Sequence, residues 1–176
     1  MRYLLHLVGV GTLSGCSSGD VATSAQNGQP DTVEAVCQAS CDRQRRCEPD
    51  AGTAGEAECV DDCVASAPSA SVYRPGVLAS LAGCFSTLAC GTSDDTCGAQ
   101  IIAQVSSNPT ADPSFSACVT KHDECSASGT STFSDDLCTT VFVLTASAKT
   151  SFDGCMALAC AEVEPCVDSA LGIAPS

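Results

Sequence analysis

Cysteine is the residue type whose number and spacing offer this chain the most chemistry. Beyond Cys16 there are fourteen: Cys37, Cys41, Cys47, Cys59, Cys63, Cys84, Cys90, Cys97, Cys118, Cys125, Cys138, Cys155, Cys160 and Cys166. Thiols at that density can exchange disulfides, hold a metal or staple a fold. Exchange chemistry uses two cysteines separated by two residues, one of them activated as a thiolate, and no pair here has that spacing. A zinc site adds histidine or clustered reduced cysteine, and His122 is the only histidine after His6. His122, Asp123, Glu124 and Cys125 can be drawn as a ligand cluster, although a solvent-facing helical turn explains the same four residues. One histidine also disfavours Ser-His-Asp and Cys-His catalysis. The remaining chemistry is a disulfide framework, for which an even number is the arithmetic signature.

The charged residues mark no reaction centre. The doublets Asp61-Asp62, Asp94-Asp95 and Asp135-Asp136 do not match a calcium loop. Two of the three fall at predicted helix starts, where capping explains them. Arg43, Arg45 and Arg46 form one basic cluster near a predicted helix end, where cations are favoured; an acidic partner is the other reading. No residue pair stands out as a glycosidase-type carboxylate dyad.

The elements that position the cysteines read as helices. An Asp31 cap with Glu34 opens the first, which runs to about Cys47 with Val33, Val36, Cys37 and Cys41 on one side. Thr53 and Glu56 open a second that carries Cys59 and Cys63. A third holds Val77, Leu81, Cys84 and Leu88 and ends at Gly91. Asp94 and Asp95 begin a fourth through Cys97, Ile101 and Val105. Asn108-Pro109 and Asp112-Pro113 punctuate a linker. A helix from Asp112 then carries Cys118 and Cys125, and Ser134 caps one with Leu137, Val141 and Leu144. Another runs from about Thr150 with Cys155 and Cys160, and Cys166 sits in a short last helix. Alternation of period two is scarce, so little or no sheet is expected. With 25 alanines, no tryptophan and five phenylalanines, the chain forms helices readily but has limited apolar area to bury.

The cysteine gaps repeat. From Cys41 they are 5, 11, 24, 5 and 6 residues if Cys63 is skipped, and from Cys118 they are 6, 12, 16, 4 and 5. Ser80-Leu81-Ala82-Gly83-Cys84 matches Ser151-Phe152-Asp153-Gly154-Cys155, and Leu88-Ala89-Cys90 matches Leu158-Ala159-Cys160. This reads as a duplication of about 70–77 residues. Cys37 and Cys63 lack counterparts, since Ser114 and Phe142 stand in their places. Their joint absence suggests that they pair. Residues at i and i+4 share a helix face, so Cys41–Cys59 and Cys37–Cys63 close as rungs between antiparallel helices. That hairpin resembles the twin CX3C hairpins of mitochondrial intermembrane-space proteins and plant hairpin peptides. The repeat then makes Cys118–Cys138 the equivalent of Cys41–Cys59. Helix rise suggests Cys47–Cys84 and Cys125–Cys155, leaving Cys90–Cys97 and Cys160–Cys166. Cys47–Cys90 with Cys84–Cys97 is the alternative.

The first sixteen residues fix the expected compartment. Arg2, an apolar run from Tyr3 to Leu13 and the small residues Ser14 and Gly15 have the form of an export signal. The run is far shorter than the roughly 20 residues of a membrane-spanning helix. Cys16 follows directly, and Leu13-Ser14-Gly15-Cys16 resembles the lipobox of bacterial lipoproteins. The resemblance implies cleavage before Cys16, its lipidation (palmitate or related acyl chains), and membrane attachment through those chains. Ser17, where that family's retention signal is Asp, implies the outer membrane. An exported chain sits where disulfides persist. In its Cys-, Ala-, Ser- and Asp-rich style the chain also resembles lipoproteins of myxobacteria-like delta-proteobacteria, a resemblance that supplies no activity or binding residue.

These readings predict a signal at 1–15, a lipidated Cys16 and tether over 16–30, and Cys-rich helical repeats over 31–108 and 109–176. The fold class is all-α, a disulfide-stapled helical bundle. All 21 acidic residues but only 6 of the 7 basic ones lie beyond residue 15, a formal charge of −15, which disfavours nucleic acid as a partner. The expected role is non-enzymatic, structural or partner-binding on the cell envelope, with no cofactor. The partner itself, protein or ligand, is not specified by the sequence. An acidic metal- or small-ligand-binding module is the alternative.

Overall fold

Several helix starts are set by the side-chain oxygen that accepts from their first N–H groups. In the computed structural model, which describes residues 28–49, 55–106, 108–129, 133 and 136–173, Thr32 caps α1 (Val33–Cys47), its hydroxyl accepting from the Ala35 N–H at 3.2 Å. Asp31, expected to cap this helix, caps another. Its carboxylate accepts from the N–H groups of Gly76 and Ala79, at 2.7 and 3.1 Å, at the start of α3 (Val77–Thr87). Gly76 occupies that helix's N-cap position with φ 84° and has no side chain with which to cap, so a carboxylate from 45 residues upstream supplies the acceptor.

Between them lies α2 (Glu56–Ser66), which follows Gly55 without a side-chain cap; Thr53 is outside the described residues. α4 (Asp95–Val105) has Asp94 at its N-cap position without a side-chain cap, while the hydroxyl of Ser93 just before it accepts from the Asp95 N–H at 3.3 Å. In the second half, α5 (Pro113–Ala127) has Pro113 in its first turn and Asp112 as cap, accepting from Ser114 and Phe115. α6 (Asp136–Thr139) is a single turn, followed by a 3-10 turn over Thr140–Phe142. Thr145 caps α7 (Ala146–Cys155) through the Ala148 N–H. α8 (Cys160–Leu171) ends at Gly172, φ 70°.

Two expectations need correction here. The helix expected from Ser134 through Leu144 is one turn long. Thr139, Thr140, Val141 and Val143 are β-branched and lose side-chain freedom in a helix, and the backbone at 143–145 is engaged elsewhere. Ser134 and Asp135 lie outside the described residues. The last helix, expected to be short, runs twelve residues with Pro165 inside it. Pro165 forfeits one backbone hydrogen bond, while Val163, Val167 and Leu171 recur every four residues and are all buried.

The protein is all-α among the described residues, with one isolated antiparallel bridge, Tyr73 to Leu144. In the first half α1 packs on α3 and α2, and α3 on α4; in the second α5 packs on α6 and α7, and α7 on α8. Asp31 joins the start of α1 to the start of α3, and Cys47 at the end of α1 bonds to Cys90 just beyond α3. These two helices are therefore parallel, and α5 and α7 repeat the arrangement: Lys149 in the first turn of α7 pairs with Asp112 at the cap of α5, and Cys125 near the end of α5 bonds to Cys160 beyond α7.

A continuous apolar core runs through both halves: Val36, Leu78, Leu81, Phe85 and Ile101 on one side, Phe142, Phe152, Val163 and Leu171 on the other. Cys84 and Leu88, placed by sequence on the core stripe of α3, are only half-buried. Leu78, Ala82 and Phe85 take the interior instead.

Candidate functional site

The disulfide framework is the site that the sequence singled out. Cys37–Cys63 and Cys41–Cys59 bridge antiparallel α1 and α2, with Cα–Cα distances of 5.7 and 6.1 Å. Cys118–Cys138 joins α5 to α6 in the place corresponding to Cys41–Cys59. Where the first half has its second rung, the second half has Ser114 and Phe142, both buried. The Ser114 hydroxyl donates to Asp153 at 2.9 Å, and the Phe142 ring packs on Phe115 with centroids 5.3 Å apart.

The other four pairings differ from the leading expectation. Cys47 bonds to Cys90 and Cys84 to Cys97, the alternative pairing rather than the leading Cys47–Cys84 and Cys90–Cys97. Cys125 bonds to Cys160 and Cys155 to Cys166, not Cys125–Cys155 and Cys160–Cys166. The reason is where the parallel helices start. Asp31 sets the first residues of α1 and α3 level. Measured from there at about 1.5 Å per residue, Cys84 stands about 12 Å up its helix and Cys47 about 22 Å up the other. Leu88 leaves α3 in an extended conformation (φ −63°, ψ 127°), and the segment beyond it carries Cys90 up to Cys47. Cys84 is left facing α4, where Cys97 and Gln100 lie beside it. The same geometry recurs in the second half, so the repeat extends to the connectivity.

The basic cluster is used within the fold. Arg43 donates to the carboxylate of Asp94 and to the carbonyl of Thr92, and Arg46 to the carbonyl of Leu88. They tie the end of α1 to the segment carrying Cys90. Arg45 pairs with Asp42 on its own helix. Asp61 and Asp62 are exposed on α2. His122 is half-buried, edge-on to Phe133 with centroids 5.6 Å apart, and its Nδ1 lies 3.5 Å from Asp123. Cys125 is committed to its disulfide and Glu124 to Lys121, so those four residues do not converge. Among the described residues no group of three His, Cys, Asp or Glu side chains is placed to hold a metal ion.

Among the described residues two ionisable groups carry shifted proton affinities. Tyr73 is buried, and desolvation holds its phenol well above the usual value. At Asp112, burial raises the pKa, but the hydrogen bond from Lys149, backbone N–H donors and the lysine's charge outweigh it and hold the carboxyl below 3.8. The Lys149–Asp112 contact is 2.5 Å and links α7 to the cap of α5.

An open groove of about 190 Å³ lies between α3 and α4, lined by Ser80, Thr87, Gln100 and Gln104 around Cys84 and Ile101. Pockets that enclose a drug-sized ligand start at about 300 Å³ and are mainly apolar; this one is small, polar and uncharged. Its side chains offer hydrogen bonds but no nucleophile paired with a base. Among the described residues no helix is long and apolar enough to cross a membrane. Comparison with protein-family models, curated proteins and solved structures finds no match to this chain. Leu13 to Cys16 and tether residues 17–27 fall outside the described residues.

Proposed function

We propose that this chain is a lipid-anchored, disulfide-stapled module of the bacterial cell envelope, with a structural or partner-binding role and no catalytic activity of its own. The observation that carries the reading is Leu13-Ser14-Gly15-Cys16 at the end of a short apolar run. Lipidation at Cys16 makes an exported domain a membrane-bound one, and two or three acyl chains hold it firmly where one holds marginally. The stapled helical fold fits the same setting. Seven disulfides suit an oxidising compartment, and they stabilise a chain whose core contains few large side chains. The strongly acidic surface favours solubility beside a membrane and a basic or neutral partner over a nucleic acid. The position of Ser17 supports the outer membrane.

Cys16→Ser tests the anchor. Fractionation of the bacterial host should move the protein from membranes to the soluble exported fraction, with loss of acyl mass. Continued membrane attachment of the variant contradicts the lipid anchor.

A further inference from the structure

The one strand-like contact among the described residues joins equivalent residues of the two repeats. Aligning Cys84 with Cys155 places Val72 on Val143, Tyr73 on Leu144 and Arg74 on Thr145. The bridge pairs Tyr73 with Leu144. Its two hydrogen bonds run from the Arg74 N–H to the Val143 carbonyl and from the Thr145 N–H to the Val72 carbonyl, both at 2.8 Å. Exchanging each residue for its counterpart turns one bond into the other. The turns leading in also match: Val72 N–H donates to Ser69, and Val143 N–H to Thr140, both at 3.1 Å. A contact that maps onto itself when its partners are exchanged is isologous, the arrangement found across a two-fold axis between identical subunits.

Connectivity agrees. Four disulfides lie wholly within the first half and three wholly within the second. No disulfide crosses, so the halves are joined covalently only by the connector between α4 and α5. Val72, Tyr73, Val143 and Leu144 are all buried, so the pairing removes apolar area from water as well as making hydrogen bonds. Each half is a separately cross-linked unit held to the other through non-covalent contacts.

We infer that the surface around Tyr73 and Leu144 is a self-complementary docking surface, and that its partner beyond this molecule is a second copy of the chain, engaged by exchange of halves. Within one chain the short connector keeps the local concentration of the other half high, so the monomer dominates in dilute solution. Crowding of chains raises the competing concentration and favours the exchanged dimer.

The test places a specific protease site in the connector, at Ser107-Asn108, of the full oxidised chain. After cutting, native mass spectrometry should find the halves still paired, while denaturing electrophoresis without reductant separates them. Isotope-labelled and unlabelled cut proteins, mixed in urea sufficient to part the halves and then returned to buffer, should give hybrid pairs. Uncut labelled and unlabelled chains treated alike at high concentration should give a mixed dimer. Leu144→Asp should weaken pairing by roughly a hundredfold, since it buries a carboxylate at the contact, while both halves keep their disulfides and helical circular dichroism. Wild-type halves that separate on cutting, or that stay paired despite Leu144→Asp, overturn the docking surface. Hybrid pairs of cut halves without any mixed dimer of uncut chains overturn the second copy as partner.

Discussion

Replacing Cys37 by Ser and Cys63 by Phe transplants into the first half the residues that the second half uses at the same positions, Ser114 and Phe142. The cost follows from loop closure. Taken alone, a bridge across a separation of 26 residues restricts the unfolded chain by about 3.5 kcal/mol. The Cys41–Cys59 bridge is nested inside it, with four residues on each side. While that inner bridge is intact, the outer one closes an effective loop of only about eight residues, worth about 2.5 kcal/mol. Urea denaturation of oxidised wild type and double variant, followed by helical circular dichroism, should show a loss close to that lower value. Each single variant should be worse than the double, because a lone thiol at Cys37 or Cys63 can scramble the remaining pairs. A loss near or above 3.5 kcal/mol would show that the bridges act independently and refute the nesting argument. Single variants that keep all other pairs while the double variant misfolds would refute the Cys37–Cys63 pairing itself.

Other substitutions test other joints. Asp31→Ala removes the acceptor at the start of α3 and should cost about 1 kcal/mol by thermal or chemical denaturation, whereas Asp31→Asn, which keeps an acceptor oxygen, should recover most of it. Asp112 has its folded pKa depressed below 3.8, so its contribution is complete above the unfolded value and is lost as pH falls through the folded one. Lys149→Met should therefore lower stability at neutral pH and flatten the fall below about pH 4; an unchanged acid limb in a denaturation series would contradict the assignment. Phe152, with no exposed surface, should lose about 3–5 kcal/mol on substitution by Ala, measured the same way with disulfides intact.

The sequence revealed what depends on local spacing. Cys37 with Cys41 and Cys59 with Cys63 lie one turn apart on their helices, so an antiparallel pair closes both rungs, and the missing counterparts of Cys37 and Cys63 pointed to the same pairing. Cys118–Cys138 followed from the repeat. The Cys47, Cys84, Cys90 and Cys97 set depended on something no local pattern records, the relative height of two parallel helices. That height is set by Asp31 bonding to Gly76 and Ala79. Asp31 read locally as a cap for its own helix because Thr32, the actual cap, is its neighbour. Pro165 hid the length of α8, since a proline reads as a breaker although the buried row of Val163, Val167 and Leu171 sustains the helix around it. The Tyr73–Leu144 pairing involves three residues on each side with no alternating pattern, too short for a strand signal. The His122 cluster dissolved because Cys125 and Glu124 have partners elsewhere. Nothing in the spacing of Arg43 and Arg46 disclosed that the backbone beside Cys90 would be their acceptor.

Intact mass of the protein extracted from envelope membranes, alkylated with and without prior reduction, tests the account most directly. The account predicts a chain beginning at Cys16 that carries acyl mass, takes up no alkyl group before reduction and takes up fourteen after it. Free thiols, a retained metal ion or an unacylated amino terminus would contradict the stapled, lipid-anchored module.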